Sequence, residues 1–468
     1  MLKDVFTGRG IALPGRPTEL RVQQNTARGV SMLSGNLTNN SKTVTGGVSA
    51  RVFDKGIYGF ASAAETDPES LKKVIKAAAE NALFLGRRAG NDLGELSPLI
   101  SGDEALRKTD KDISQKLLLD FVRELDNHIA GKYKNLAGRI VGLNCLDMEK
   151  FLFASNGGEG DGGPVMKSHS LVPRTITLVG MTVSDSDGAP VELSQIFGGF
   201  GNFEDHFGDP GKLHEMIDKL YERVMKKREG IHADAGTRQC VMGPDLAGIL
   251  AHEAIGHTVE ADIVLGGSVA AHYMNKQVAS DLVSIVDFAH TALGKLCPVP
   301  VYVDDEGVLA KDAVLIENGI LKNYMHNRVT AKKMGYETLG NARAFQFSDE
   351  PLVRMRNTAI LPGKSKLTEL IESVEDGYYL VKSSNGQADS TSEFMFGIVE
   401  GYEIKGGKIG RAIRDTTISG VAFDLLKTVD MVSDDMVWSC AGYCGKKQTI
   451  PVGMGGSAVR CMANIGGR

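Results

Sequence analysis

The chain has 468 residues, 42% of them hydrophobic and 24% charged, which are the proportions of a globular protein and exclude a largely disordered one. Its 53 basic and 58 acidic residues give a net charge of −5 without a long Lys/Arg run, so no direct binding to nucleic acid is expected. No apolar stretch approaches the ~20 residues of a membrane helix, and the first residues lack the apolar region of a signal peptide, so we predict a cytoplasmic protein with no membrane contact.

The first half of the chain alternates strand-like and helical blocks. Residues 17–62 carry four short segments of alternating apolar and polar side chains, separated by Gly, Asn and Asp-Lys breakers, which predict an antiparallel meander. A second β-rich stretch covers residues 138–200 and is interrupted by a Gly-rich loop at 155–164. Helices are predicted at 67–88, from Asp112 to residue 130, and at 210–230. We therefore predict an N-terminal α/β domain, with an antiparallel sheet and helices, over residues 1–231.

The second half begins with a short strand, a Gly-Pro-Asp turn and an apolar helix, all within residues 237–257. From Val283 onward the pattern is mostly strands separated by Asn-Gly and Gly-Gly turns. Short helices are predicted at 366–376 and 424–432. The sequence thus predicts a two-domain α+β protein, in which a β-rich C-terminal domain covers residues 232–468.

The apolar helix carries a cluster of histidines and carboxylates, "LAHEAIGHTVEAD" at residues 250–262. His252 and His257 lie five positions apart, which is about 140° around a regular α-helix, too far to reach one metal ion. A shared metal therefore requires a π-bulge, which would bring both imidazoles onto one face, and Gly256 is the place where the helix can widen or end. Glu253, four residues before His257, lies on its face and is a candidate general base.

A catalytic zinc site normally has three protein ligands and one open position, so two histidines do not complete it. Spacing alone nominates Glu260 or Asp262 as the third ligand, and the C-terminal cysteines are the rival choice. Cys440 and Cys444, four residues apart, could instead form a redox couple. A capped helix whose histidines form only local hydrogen bonds is the alternative to any metal site.

Several further segments, taken together with the histidine cluster, resemble the TldD/PmbA family of metallopeptidases, specifically its catalytic, TldD-like subunit. They are "VYVDDEG" at 301–307, "LIENGILKNYMHNR" at 315–328, "RMRNT" at 354–358 and "CGKKQTIPVGMG" at 444–455. They occur in the family's order, and the H-E-x-x-x-H string is the family's distinguishing motif. One departure is Arg356, which stands where the family usually has Thr and would alter the charge near the substrate channel if that loop lines it.

The resemblance implies that Zn²⁺ is bound by His252, His257 and Cys444, with Glu253 as the general base, and this ligand set replaces Glu260. A site of two imidazoles and a thiolate also admits iron. The family's partner subunit lacks the H-E-x-x-x-H residues, so the expected assembly is a heterodimer with an inactive PmbA/TldE-like subunit, or a homodimer. The N-terminal domain is then expected to contribute substrate-channel or partner contacts.

We therefore predict a zinc-dependent metallopeptidase that hydrolyses peptide bonds of unfolded peptides or small proteins. Tyr324 and His326 are candidates for stabilising the oxyanion, by resemblance only. The alternative is a non-enzymatic regulatory or adaptor protein with a structural metal site, and the family also carries a link to modulation of DNA gyrase. A structural site is closed by four protein ligands, whereas a catalytic site keeps an open position.

Overall fold

A computed structural model of the protein describes residues 16–89, 93–107, 113–157 and 165–466. The first half contains seven strands: β1 Pro17–Leu33, β2 Asn36–Asp54, β3 Ile57–Ala63, β4 Gly102–Arg107, β5 Gly138–Asn156, β6 Met166–Ser184 and β7 Pro190–Phe200. They form one sheet in the order β3-β2-β1-β5-β6-β4, and β7 also pairs with β6. Only the β4–β6 pair is parallel among these seven strands, so the predicted antiparallel sheet is confirmed.

The helices of the first half cover the sheet. They are Pro68–Ala89, Gln115–Lys132, Phe203–Phe207 and Gly211–Arg228. The first packs Leu71 and Val74 against the apolar residues of β1 and β2, whereas the second and fourth share a core with β5 and β6. All three predicted helices are confirmed, and Ser114 caps the second by accepting a hydrogen bond from the Leu117 amide. Asp112, its predicted start, lies outside the described residues.

The meander contains fewer and longer strands than the sequence predicts. The first two predicted segments are one continuous strand, β1, because Thr26 pairs with Val44 on one side and with Asp147 on the other. Backbone pairing on both edges holds this strand extended through the Asn and Gly residues that the sequence predicts as breakers. The Gly-rich loop predicted at 155–164 lies largely outside the described residues, which stop at 157 and resume at 165.

The second half is rich in short strands, as predicted. They are β8 Gly236–Met242, β9 Ile285–Phe288, β10 Thr291–Ala292, β11 Lys295–Leu296, β12 Ala313–Glu317, β13 Ile320–Leu321, β14 Ala342–Arg343, β15 Leu352–Val353, β16 Asn357–Ile360, β17 Asp376–Ala388, β18 Glu393–Lys405, β19 Lys408–Ala412, β20 Thr416–Val421, β21 Met431–Val432, β22 Val437–Ser439, β23 Tyr443–Cys444, β24 Ile450–Pro451, β25 Gly453–Gly456 and β26 Val459–Ile465. One sheet has the order β17-β8-β26-β20-β18-β19, and because β17 also pairs with β18, five of its strands close into a barrel. A second sheet has the order β13-β12-β9-β16-β25-β22.

The α-helices of the second half are short. They are Pro244–Leu250, Ala261–Leu265, Arg328–Met334, Leu367–Glu372 and Ala422–Lys427. The two helices predicted at 366–376 and 424–432 are confirmed but end earlier, since Asp376 already begins β17. Helix Arg328–Met334 was not predicted. It begins at a capping box in which Asn327 accepts a hydrogen bond from the Thr330 amide at 2.8 Å.

The helix that begins at Pro244 lies between the barrel and the second sheet. Leu246, Leu250 and Ile255 are fully buried and share a core with residues of both sheets. Gly248 approaches the strand backbone so closely that a Cβ atom there would lie 2.9 Å from the carbonyl carbon of Gly455. The histidine cluster therefore lies on a helical segment that is packed between the barrel and the second sheet.

Buried ion pairs connect the two halves of the chain. Arg51 of β2 contacts Glu306 at 2.9 Å, and Arg328 contacts Glu19 of β1 at 3.3 Å. All four side chains are at most 5% exposed, so these contacts belong to the packed interior. The domain boundary at residue 232 remains a prediction. Across the described residues, no helix is long and apolar enough to span a membrane.

Candidate metal centre

A π-helical turn places the two histidines. Helix Pro244–Leu250 continues directly into a π-helical turn at Ala251–Gly256, and a 3₁₀ turn follows at His257–Val259. The amide of His257 donates to the carbonyl of His252, the hydrogen bond that defines a π-helix. The predicted π-bulge is confirmed. Gly256 is the last residue of the turn, and a larger side chain does not fit there, because a Cβ atom would lie only 1.9 Å from the sulfur of Met355.

The turn brings His252 and His257 together with Cys444 from β23. One ligand atom from each residue lies within 4.8 Å of the other two, and the His257 Nε2 to Cys444 Sγ distance is 3.2 Å. His252 is fully buried, and neither of its ring nitrogens has a hydrogen-bond partner among the described residues. Leaving a buried polar group unpaired costs about 1–3 kcal/mol, and a cation bound among these donors would remove that cost for one nitrogen. The donor set therefore fits a metal ion.

The electrostatics of the group favour the thiolate form of Cys444. Burial raises the pKa of this thiol, but its interactions with His252 and His257 outweigh burial and lower the pKa to about 4. The pKa of His257 is raised to about 10, because Cys444 and Glu260 together outweigh the effect of burial. Without a metal, a thiolate and an imidazolium thus neutralise one another. A thiolate is the form in which cysteine binds metals.

Glu260 contacts the opposite side of the His257 ring. Its Oε2 lies 2.9 Å from His257 Nδ1, and Glu260 is fully buried. Burial raises the pKa of Glu260, but His257, Lys446 and Arg354 outweigh it and hold the pKa below its usual range. An ionised Glu260 accepts a hydrogen bond from the Nδ1–H group of His257, which leaves Nε2 directed toward Cys444. Spacing nominates Glu260 as a ligand. In the structure, Glu260 instead contacts the ring nitrogen of His257 that faces away from Cys444.

Asp262, the other carboxylate nominated from spacing, pairs with Lys446. Its carboxylate lies 2.7 Å from Lys446 Nζ, and the same ammonium is 3.2 Å from Glu260. Asp262 is not part of the group of three donors that lie within 4.8 Å of one another. The structure therefore brings Cys444 to the histidines and keeps both spacing-based candidates outside.

Glu253 faces an open cleft beside the histidines. Its side chain is 25% exposed, and its Oε2 lies 3.8 Å from His257 Nε2. The cleft has a volume of about 600 Å³ and is lined by Glu253, His257, Ile263, residues 386–390, Gly445 and Lys446. An acidic side chain thus lines the same cleft as His257, one of the candidate ligands.

Two arginines of the "RMRNT" segment have structural partners that the sequence did not reveal. Arg354 is fully buried and donates to the carbonyls of Cys444, Lys446 and Gln448 at 2.8–2.9 Å. Arg356 is also fully buried and forms an ion pair with Asp287 at 2.8 Å. The expectation that Arg356 alters the charge of a substrate channel is wrong, because its charge is neutralised in the core.

The remaining residues singled out from the sequence lie elsewhere. Tyr324 is 2% exposed and donates its hydroxyl to the carbonyl of Ala270 at 2.9 Å. His326 is 1% exposed, and burial lowers its pKa to about 4. Neither side chain lines the cleft beside Glu253. Both candidates for oxyanion stabilisation therefore belong to the packed core.

The cysteines are all free thiols. Cys440 lies 4.0 Å from the carbonyl of Ile196, whereas Cys444 contacts His257, so the two members of the suggested redox couple have different partners. Cys461 of β26 lies opposite Cys240 of β8, and both are buried. Burial raises the pKa of Cys240 to about 12, which makes that thiol unreactive.

Comparison with known protein families identifies the class to which this chain belongs. A profile described as "PmbA/TldA metallopeptidase C-terminal domain" matches residues 235–465, and "PmbA/TldA metallopeptidase domain 1" matches residues 18–82. Both describe metallopeptidases, the class that a His/His/Cys group beside an acidic side chain also suggests. The chain belongs to the TldD/PmbA family.

Individual relatives agree with the family assignment. The chain is 29% identical to a metalloprotease of Methanocaldococcus jannaschii over 96% of this chain and 97% of that one. It is 35% identical to a protein named zinc metalloprotease TldD homolog from Saccharolobus solfataricus, over 60% of this chain and 62% of that one. The solved structure of TldE from Thermococcus kodakarensis has the same fold, with a TM-score of 0.72 at 16% identity over 100% of this chain and 97% of that chain.

Proposed function

We propose that this chain is a TldD-like catalytic subunit, a zinc metallopeptidase that hydrolyses peptide bonds in unfolded peptides or small proteins. The observation that carries the proposal is the buried His252 imidazole, whose unpartnered nitrogens lie beside a cysteine with a strongly lowered pKa. A buried imidazole without hydrogen bonds costs free energy, and a cation held by that imidazole and the thiolate would remove part of this cost. The relative named as a zinc metalloprotease supports the choice of metal.

The proposed ligands are His252, His257 and Cys444. Two imidazoles and a thiolate suit zinc, and they are also compatible with iron. Bound there, zinc supplies a Lewis acid that polarises a peptide carbonyl. Three members in the donor group leave one coordination position, which favours a catalytic site over the closed, four-ligand site of a structural protein. The non-enzymatic adaptor is therefore the less favoured alternative.

Glu253 is proposed as the general base. Its partly exposed carboxylate reaches the cleft and lies on the same side of the turn as His257. It accepts a proton from the attacking water as oxygen bonds to the carbonyl carbon, and it returns this proton to the amine that leaves when the C–N bond breaks. Glu260 stays out of this proton transfer, because its carboxylate is buried against His257 Nδ1 and Lys446.

An extended peptide is the proposed substrate. The cleft is bordered on one side by residues 386–390, at and just beyond the end of β17, and on the other by Gly445 and Lys446. Main-chain groups at the end of a strand can bind an added peptide strand, which favours unfolded chains over folded proteins. The cleft beside Glu253 is large enough for an extended segment of a few residues, so the proposed substrate class is defined by its extended conformation.

An assembly with a second subunit is part of the proposal. The fold shared with TldE of Thermococcus kodakarensis supports pairing with a homologous subunit that lacks the H-E-x-x-x-H residues, and a homodimer is the alternative assembly. Residues 1–231 are proposed to contact that partner or the substrate channel. A cytoplasmic location completes the proposal.

Metal analysis combined with peptide hydrolysis tests these assignments. Wild-type protein is expected to contain about one zinc ion per chain and to cleave an unstructured peptide. Glu253→Gln should keep the metal and lose about 10²–10⁴-fold in hydrolysis, whereas Cys444→Ala should lose the metal. Glu372→Gln, which changes an exposed glutamate on helix Leu367–Glu372, is the matched control and should change neither property. Normal cleavage by Glu253→Gln, or wild-type protein that binds no metal, would contradict the proposal.

A further inference from the structure

The segment that carries Cys444, residues 440–448, has little regular structure of its own; we call it the cysteine loop. Its strand β23 pairs with β24 through only two residue pairs, Tyr443 with Pro451 and Cys444 with Ile450. Such a short ladder fixes a backbone weakly. The amide of Val452 also donates to the Gly442 carbonyl at 3.0 Å, and the other support of the loop comes from side chains.

Two buried arginines reach the cysteine loop from opposite halves of the chain. Arg354, from the second half, binds the carbonyls of Cys444, Lys446 and Gln448, as described above. Arg174, from β6 in the first half, donates through Nη2 to the carbonyl of Cys440 at 2.7 Å and to that of Gly442 at 3.3 Å. Arg354 thus holds the loop at and after Cys444, and Arg174 holds the part of the loop immediately before Cys444.

The environment of Arg174 suggests a positioning role. The residue is 5% exposed, and its guanidinium carbon lies 5.0 Å from the centre of the Tyr443 ring. Within the described structure, its hydrogen-bond acceptors are loop carbonyls, and its Nε and Nη1 have no partner. Burying a guanidinium without a carboxylate costs folding free energy. A specific gain, such as a fixed loop, would offset that cost.

Strand β7 adds further contacts from the first half. The carbonyl of Ile196 lies 4.0 Å from Cys440 Sγ, and the carbonyl of Ser194 accepts a hydrogen bond from Lys382 of β17. Lys382 belongs to the strand whose far end borders the cleft. The β6–β7 pair therefore contacts both the cysteine loop and β17.

We infer that Arg174 is a positioning residue for the metal centre, through which the first half of the chain sets the place of the Cys444 ligand. The inference rests on the proposed function only in taking Cys444 as a ligand. It means that the metal site in the C-terminal half reaches its full affinity only when the N-terminal sheet is docked against it. Arg174 touches neither the metal donors' side chains nor the cleft, so its effect is transmitted by the loop backbone.

Cobalt binding and hydrogen exchange together test this inference. Arg174→Met removes the donors and keeps an unbranched apolar stem. We expect Co²⁺ affinity to fall about 10-fold, with a weaker thiolate-to-cobalt absorption band, as is typical when the support of a metal ligand is lost. In the metal-free protein, amide hydrogen exchange within residues 441–448 should become faster. Arg139→Met is the matched control, because Arg139 is a sheet arginine whose bonds at 2.8 and 2.9 Å go to Asp126, away from the loop.

A second variant keeps the inference testable if Arg174→Met does not fold. Arg174→Lys retains the charge with a single donor group, so its cobalt affinity and loop exchange should lie between those of wild type and Arg174→Met. Unchanged affinity and unchanged loop exchange in the folded variants would overturn the inference. Wild-type protein that binds no cobalt would instead count against the proposed function, and faster loop exchange in Arg174→Met would still support the positioning role of Arg174.

Discussion

Removing the carboxylate behind His257 should weaken metal binding without removing any proposed ligand. In Glu260→Leu, the acceptor 2.9 Å from His257 Nδ1 is lost, so the ring is no longer held with Nε2 directed toward Cys444. Loss of such an outer partner typically costs 10–100-fold in metal affinity, which corresponds to about 1.4–2.7 kcal/mol. Lys446 keeps Asp262 at 2.7 Å, so we expect the metal-free protein to lose only about 1–3 kcal/mol of stability, the cost of one unpaired buried donor.

The assay compares zinc affinity by calorimetry with thermal unfolding of the metal-free protein for three forms: wild type, Glu260→Leu and Glu260→Gln. The glutamine amide oxygen can still accept a hydrogen bond from the Nδ1–H group, so Glu260→Gln should bind zinc within a few-fold of wild type. A large loss confined to Glu260→Leu supports the role of the hydrogen bond. Wild-type zinc affinity in Glu260→Leu, or an equal loss in both variants, would refute the reasoning.

Three further predictions concern the surrounding core. Gly256→Ala should lose about 1–3 kcal/mol of stability and weaken zinc binding, because its Cβ would lie 1.9 Å from Met355 Sδ. The double variant with Met355→Ala should recover part of both losses. No recovery would count against the steric cause. Burial lowers the pKa of His326 from 6.5 to about 4. Between these pH values the unfolded chain binds more protons than the folded chain, so the free energy of unfolding falls as pH falls, by about 3 kcal/mol at most. Denaturant unfolding at pH 7 and 4.5 should show a smaller pH dependence for His326→Phe than for wild type, and equal dependences would contradict the assignment. Arg356→Met removes the ion-pair partner of the fully buried Asp287, whose carboxylate keeps its hydrogen bonds from Asn341, Thr358 and two backbone amides. This variant should cost about 3–5 kcal/mol in a denaturant titration, whereas a loss below about 1 kcal/mol would show that the pair is not needed.

The sequence predicts the local geometry of the metal centre better than its surroundings. The π-helical turn follows from the spacing of His252 and His257 once they are taken to share one ion, because no regular α-helix can direct residues five positions apart at it. The position of Glu260 does not follow from spacing, since a carboxylate three residues after His257 can reach either ring nitrogen. Only the fold shows that the 3₁₀ turn directs it to Nδ1.

Long-range contacts account for most of what the sequence leaves unpredicted. Arg174 and Cys440 are 266 positions apart, and Arg354 and Cys444 are 90 apart, so no local pattern connects either pair. Buried arginines also look like surface residues in a composition-based analysis, because charged side chains are seldom fully buried. In the N-terminal sheet, the same limitation divided β1 into two segments, since its continuity depends on pairing with β2 and β5.

The π-helical turn also limits how this candidate metal-binding motif could be converted into another. Deleting Ala254 would produce H-E-x-x-H, the motif of ordinary zinc peptidases, by a change of one codon. His257 and every later residue would then rotate about 100° around the helix axis relative to His252 and shift about 1.5 Å along it. His257 and Glu260 would keep their spacing, but the chain would be misaligned with the strands that follow. The two motifs thus differ in the register of every contact made after the turn, and not only by one residue.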